Sequence, residues 1–199
     1  MRKDKSMEYI IEINNLDITG NYGIYSDNYN IFEKYIIVES DSLDISKLNT
    51  YSLEEGKLVL NEDKVKKNLE EKKEILLLKI VLNLSNLKKE YSEKEFLFKG
   101  KYLQRNKQLE DIVPINGLIT LMNNTKTTSS KWKFRDKDTY EWIWVDLTLD
   151  DLISLGVTSI NNVTKAMTIE TNLLEKVKKL TLEELEEFDS RKEYEILWN

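Results

Sequence analysis

The chain has no cysteine and no histidine, and it has one proline (Pro114) and one alanine (Ala166) among 199 residues. Without cysteine there is no disulfide, no thiolate metal centre and no thiol nucleophile, and the chain folds in either redox environment. The missing histidine removes more chemistry, because imidazole is the commonest general base and the commonest transition-metal ligand. Ser-His-Asp, Cys-His and His-based zinc sites are excluded together. Carboxylate or lysine chemistry stays open. No Walker loop, Gly-rich dinucleotide loop or metalloprotease motif occurs. The expectation is a protein that is not an enzyme, with no cofactor, no metal and no catalytic residue.

Positive charge is plentiful but outnumbered. Lys plus Arg is 30 against 36 for Asp plus Glu, a net charge of -6. The basic footprint of a nucleic-acid binder is absent, so no nucleic-acid partner is expected. The longest apolar run, "ILLLKIVLNL" (75–84), is interrupted by Lys79 and too short to cross a bilayer, so no membrane partner is expected either. The N-terminal "MRKDKSMEYI" has basic residues but no apolar signal core behind them. Lys, Asn, Ile, Glu and Leu are abundant, a bias that follows A+T-rich codons and points to a low-GC bacterium or its phage. The N-x-Ser/Thr triplets at Asn83, Asn123 and Asn162 then follow from asparagine abundance rather than glycosylation.

The length suits one compact domain, or one with an appendage. Four segments are expected. Residues 1–60 are a β-rich module: "MEYIIEI" and "KYIIVES" read as strands, separated by the loop-like, tyrosine-rich "NNLDITGNYGIYSDNYN". Tyr22, Tyr25 and Tyr29 in that loop read as half-buried turn residues or as a stacking surface for sugar. "YSLEEGKLVL" is a hairpin with Glu55-Gly56 at its turn. Residues 61–94 are a long helix capped by Asn61, with Val65, Leu69, Leu76, Ile80, Leu84, Leu87 and Tyr91 at helical spacing. Its middle, residues 75–84, is apolar almost all round and must be covered on all sides, within the chain or by another subunit. Leu76, Leu77, Ile80, Val81, Leu84 and Leu87 are therefore the candidate oligomer interface.

Residues 95–180 form an α+β segment, and 181–199 a terminal helix capped by Thr181 and Glu184. "EFLFKGKYLQ" is a hairpin about Lys99-Gly100, and "LEDIVPINGLITLMNN" a short helix or two turns broken by Pro114 and Gly117. "SSKWKFRDKDTYEWIWVDLTLDDL" (129–152) holds three of the four tryptophans. A catalytic pocket, a sugar-binding surface and a structural corner all fit that concentration. The simplest arrangement is a hairpin of Trp132 and Phe134 against Trp142 and Trp144. It packs as a corner on a helix that Thr148 starts through a capping box with Asp151. Leu149, Leu152, Gly156, Ile160, Val163, Met167, Leu174 and Val177 would form that helix's buried stripe, with Gly156 a candidate break. Asp136, Asp138 and Asp146 could hold a hard cation but lack EF-hand spacing and read as a solvated turn.

The order of these elements resembles a family of domains of unknown function (four-three-seven-six) found in phage tail-fibre and tail-region proteins. Phe98, Gly100, Lys101 and Tyr102 match its aromatic-Gly-Lys-aromatic hairpin. Trp132, Trp144, Leu147, Thr148 and Leu152 match its tryptophan strand pair and Thr-capped helix, and Leu182 to Leu185 its acidic tail. The resemblance covers about residues 70–189. Residues 7–75, with "EGKLVLNEDKVKKNLEEKKEI", separately resemble short tail proteins of low-GC phages. The resemblance implies a structural protein of a phage or phage-like tail, at the baseplate or fibre attachment region, whose partners are other tail or baseplate proteins. It favours a homotrimer, and it supplies no catalytic residues. A tail-fibre assembly chaperone and a carboxylate-based glycan hydrolase are the alternatives. The expected fold is α+β: a β-rich N-terminal module, a long linking helix, then a Trp-rich hairpin on a long C-terminal helix.

Overall fold

A computed structural model describes residues 8–14, 17–24, 35–39, 44–55 and 57–199. The fold is α+β with antiparallel sheets, and it divides into two compact units, Met1–Glu74 and Ile75–Asn199. In the first unit, β1 (Glu8–Asn14) is the centre of a three-stranded sheet, between β2 (Asp17–Ile24) and β3 (Tyr35–Glu39). Strand β2 falls inside the stretch expected to be loop. Its alternating Ile18, Tyr22 and Ile24 suit a strand once β1 offers a ladder from Asn14↔Asp17 to Tyr9↔Ile24. Tyr22 is thus an exposed strand residue, while Tyr25 and Tyr29 lie outside the described residues. A 3-10 turn (Ile45–Thr50) leads into the hairpin of β4 (Tyr51–Glu54) and β5 (Lys57–Leu60). Glu54↔Lys57 closes it and Glu55 has φ +49°; Gly56 lies outside the described residues.

Helix α1 (Glu62–Ser92) starts as expected, with the Asn61 side-chain oxygen accepting the Lys64 N–H at 3.0 Å. Its C-terminal part belongs to the second unit. There β6 (Phe96–Phe98), β7 (Tyr102–Gln104), β8 (Ser129–Asp136) and β9 (Trp142–Thr148) form an antiparallel sheet in chain order. The β6–β7 turn places both Lys99 (φ +51°) and Gly100 (φ +69°) in the left-handed region, as a tight hairpin turn requires. Helix α2 (Val113–Thr125) is unbroken, contrary to the expectation at Pro114 and Gly117. Pro114 sits in the first turn, where a missing N–H costs nothing.

Helix α3 (Leu149–Val177) begins at Thr148 with the expected capping box and runs straight through Gly156. The terminal segment is two helices, α4 (Leu182–Glu186) and α5 (Ser190–Trp198), because Asp189 caps a new start by accepting the Arg191 and Lys192 N–H groups.

Two apolar clusters hold the second unit. One joins the inner face of the sheet (Phe98, Phe134, Leu147) to α2 and the start of α3 (Ile115, Met122, Leu152, Leu155). The other joins α1 to α3, α4 and α5. Helices α1 and α3 run antiparallel: Asn106 donates to the carbonyls of both Ser92 (2.6 Å) and Ser159 (3.1 Å), and Lys88 pairs with Glu170 at 3.0 Å.

This packing overturns the expected interface. Leu84 is 0 % exposed, Ile80 and Leu87 are 5 % exposed, and Leu76 and Leu77 are half-buried against the same cluster. The chain covers that stripe with its own α3 and α5. Of the six candidates only Val81 is exposed, and it stands with Ile75, Leu78 and Leu82 on the side that α3 leaves open. Helical periodicity reveals an apolar stripe but not which neighbour buries it.

Candidate binding face

Strands β8 and β9 pair in the register Lys131↔Asp146, Trp132↔Val145, Lys133↔Trp144, Phe134↔Ile143 and Arg135↔Trp142. Residues directly opposite share a face. Lys131, Lys133 and Arg135 therefore share the outer face with Trp142, Trp144 and Asp146. Trp132, Phe134, Ile143 and Val145 face the core.

The expected corner of three buried indoles is thus corrected in two of its three members. Trp132 packs on the cluster beneath the sheet, and its indole N–H donates to the Gln104 side-chain oxygen at 2.7 Å. Trp142 is 48 % and Trp144 65 % exposed. The turn sets this outcome. Asp136 N–H donates to the Glu141 carbonyl (2.8 Å), and Tyr140 takes φ +59° to close a loop of even length. One residue more or fewer would exchange the two faces of β9.

The same turn accounts for the acidic cluster. The Asp136 carboxylate accepts the N–H groups of Asp138 (2.9 Å) and Thr139 (3.1 Å), and these bonds, Thr139's first, hold it below the usual carboxylate range. Among the described residues no group of three or more acidic, His or Cys side chains could hold a metal ion.

Cations lie over the outward indoles. The Lys133 ammonium is 5.0 Å from the Trp142 ring centre and 6.0 Å from that of Trp144, and the Arg135 guanidinium is 5.7 Å from Trp142. The Arg105 guanidinium also lies 5.5 Å from the Trp142 ring centre. It is held by Glu110 (3.1 Å) and the buried Asp111 (3.3 Å), whose other oxygen accepts the Lys107 N–H at 3.0 Å. Such contacts are worth about 0.5–1 kcal/mol each at an exposed surface.

A cleft of about 560 Å³ is lined by Pro114, Leu118 and Leu121 of α2, by the outward Trp142 and Trp144, and by Trp132. Gly117 lines it too, and a Cβ built there would meet no atom within 4 Å. The cleft is open where that side chain would stand.

A second cleft, about 690 Å³, lies between α1 and the α4–α5 turn. Its main charges are already spent on each other: Arg191 grips Glu90 in a bidentate pair (2.9 and 2.7 Å) that holds the Glu90 carboxyl below its ordinary value. The Trp face sets two exposed indoles next to cations. It can stack on flat rings or take an apolar anchor flanked by an acid. Sequence reasoning found the indoles but missed Arg105, Lys133 and the α2 lining. The alternation of Lys131, Lys133 and Arg135 marked the outer face of β8. No protein-family model, characterised protein or solved structure matches the chain.

Proposed function

We propose that the chain acts by binding rather than by catalysis, as an assembly component of a phage or phage-like tail. Its outer β8–β9 face and the cleft beside it are the docking site for another tail protein. The tail setting rests on the sequence resemblance. The docking face rests on one observation: two adjacent indoles left half to two-thirds exposed beside three cations. Trp and Arg are the residues most enriched where protein interfaces concentrate their binding energy. Strand β9 is also an edge of its sheet. A strand at the edge of the described sheet can pair with a strand from a partner, which favours a protein over a sugar as occupant.

Mass spectrometry of purified particles tests the reading. The wild-type chain is expected in the particle. Trp142→Ala with Trp144→Ala, or Gly117→Phe to fill the cleft, should leave a folded chain that is lost from it. Absence of the wild-type chain despite expression would select the assembly chaperone. Release of reducing sugar from surface glycans, abolished by one Asp or Glu substitution, would select the hydrolase.

A further inference from the structure

Helix α3 carries two apolar stripes. One, from Leu152 through Ser159, Ala166 and Leu173 to Val177, is buried in the chain. The other consists of Ile153, Val157, Ile160, Thr164, Met167 and Thr171, and it was expected to be part of the first at Ile160 and Met167. Instead Ile153 is 41 %, Val157 51 %, Ile160 49 % and Met167 55 % exposed. The six sites are spaced 4-3-4-3-4, the repeat of a coiled-coil seam, and all but Met167 are β-branched. A helix buried on one side needs no such repeat on the other.

The charge pattern singles out the same surface. The chain is 33 % charged, yet the exposed residues of α3 from Ile153 to Thr171 include one charge, Lys165. That ammonium is engaged with the Trp198 carbonyl and lies 5.0 Å from the Trp198 ring centre. A highly charged partner would find nothing to complement here. An identical neutral stripe would meet no like-charge repulsion, and self-complementary surfaces close as twofold pairs.

We infer that the outward stripe of α3 is a self-association seam whose occupant is α3 of a second copy. The seam is independent of the Trp142–Trp144 face. It is about 27 Å long at the rise of an α-helix. A seam of one helix face makes a reversible pair whose population rises with concentration across the micromolar range.

Sedimentation velocity across a concentration series reads the association directly. The wild-type mass should rise from 23.6 kDa toward twice that value, whereas Ile160→Glu, at an exposed site, should stay at one chain throughout. Trp144→Ala should associate like wild type, which separates this seam from the docking face. A cross-link gives a second readout, because the chain has no cysteine of its own. Thr164→Cys, near the middle of the seam, faces its own copy in a parallel pair and lies about one helical turn from it in an antiparallel one, so a short bismaleimide cross-linker should yield a covalent dimer in either case. Asn124→Cys at the end of α2 should not. A wild-type mass of one chain at every concentration, with no Thr164→Cys dimer, overturns the inference. So does association lost in Trp144→Ala and kept in Ile160→Glu.

Discussion

Replacing Leu84 by alanine distinguishes a core helix from an interface helix. Leu84 is 0 % exposed, enclosed by α1's own stripe and by the facing residues of α3 and α5. Truncation removes three carbons from full burial, about 2.4 kcal/mol at roughly 0.8 kcal/mol each. The cavity left in a close-packed helix layer adds to this, for a total of about 2–5 kcal/mol. With a urea dependence of about 2.5 kcal/mol per molar, in the upper part of the usual range because the slope grows with chain length, the unfolding midpoint should fall by about 1–2 M. Leu84→Lys should be worse, because an ammonium placed there has no carboxylate partner and no water. Far-UV circular dichroism during urea titration reads stability, and light scattering on the same samples reads mass. A Leu84→Lys protein that kept its unfolding midpoint while its mass fell to that of one chain would refute this assignment and return the residue to an interface.

Acid should probe the start of α3. The Lys99 ammonium lies 2.6 Å from the Asp151 carboxylate and, as the largest cause, holds its pKa below the ordinary value. A depressed folded-state pKa gives stability that is complete above the unfolded value of about 3.9 and is lost as pH falls through the folded value. Asp151→Asn, which also weakens the capping box, should destabilise by about 1 kcal/mol near neutrality. Its deficit against wild type in urea titrations should shrink toward low pH, and an equal deficit at neutral and acid pH would contradict the Lys99 assignment. Gly156→Ala should stabilise by up to about 1 kcal/mol, since the new Cβ would sit 3.5 Å from Ile115 Cγ2, an ordinary contact. Thermal unfolding should rise by about 2–4 °C, and a fall would mean that α2 and α3 are packed too tightly to accept a methyl group.

Much was legible in the chain itself, and it was the local part. Asn61, Thr148 and Thr181 announced helix starts, because a cap is a bond between a side chain and a backbone N–H two or three residues away. The hairpins at Glu55, at Lys99-Gly100 and between Trp132 and Trp142 were likewise readable from short-range turn and strand signals. The α+β class follows from those elements in order.

What tertiary structure decided was orientation. A β-strand alternating Trp142-Ile143-Trp144-Val145 has two apolar faces, and nothing within it says which turns inward. The turn through Tyr140 and the register against Lys133 and Arg135 made that choice, and so converted two expected core residues into surface. Helix α1 shows the same limit in the opposite sense. Its stripe through Ile80, Leu84 and Leu87 demanded a cover, and only the antiparallel return of α3 with α5 showed that the cover comes from the same chain. On α3 the two stripes overlap in sequence, so periodicity merged them. Burial separates Ile160 and Met167 from Ala166 and Ile169, because a helix of 3.6 residues per turn can offer a different face to each neighbour while its sequence shows only apolar spacing.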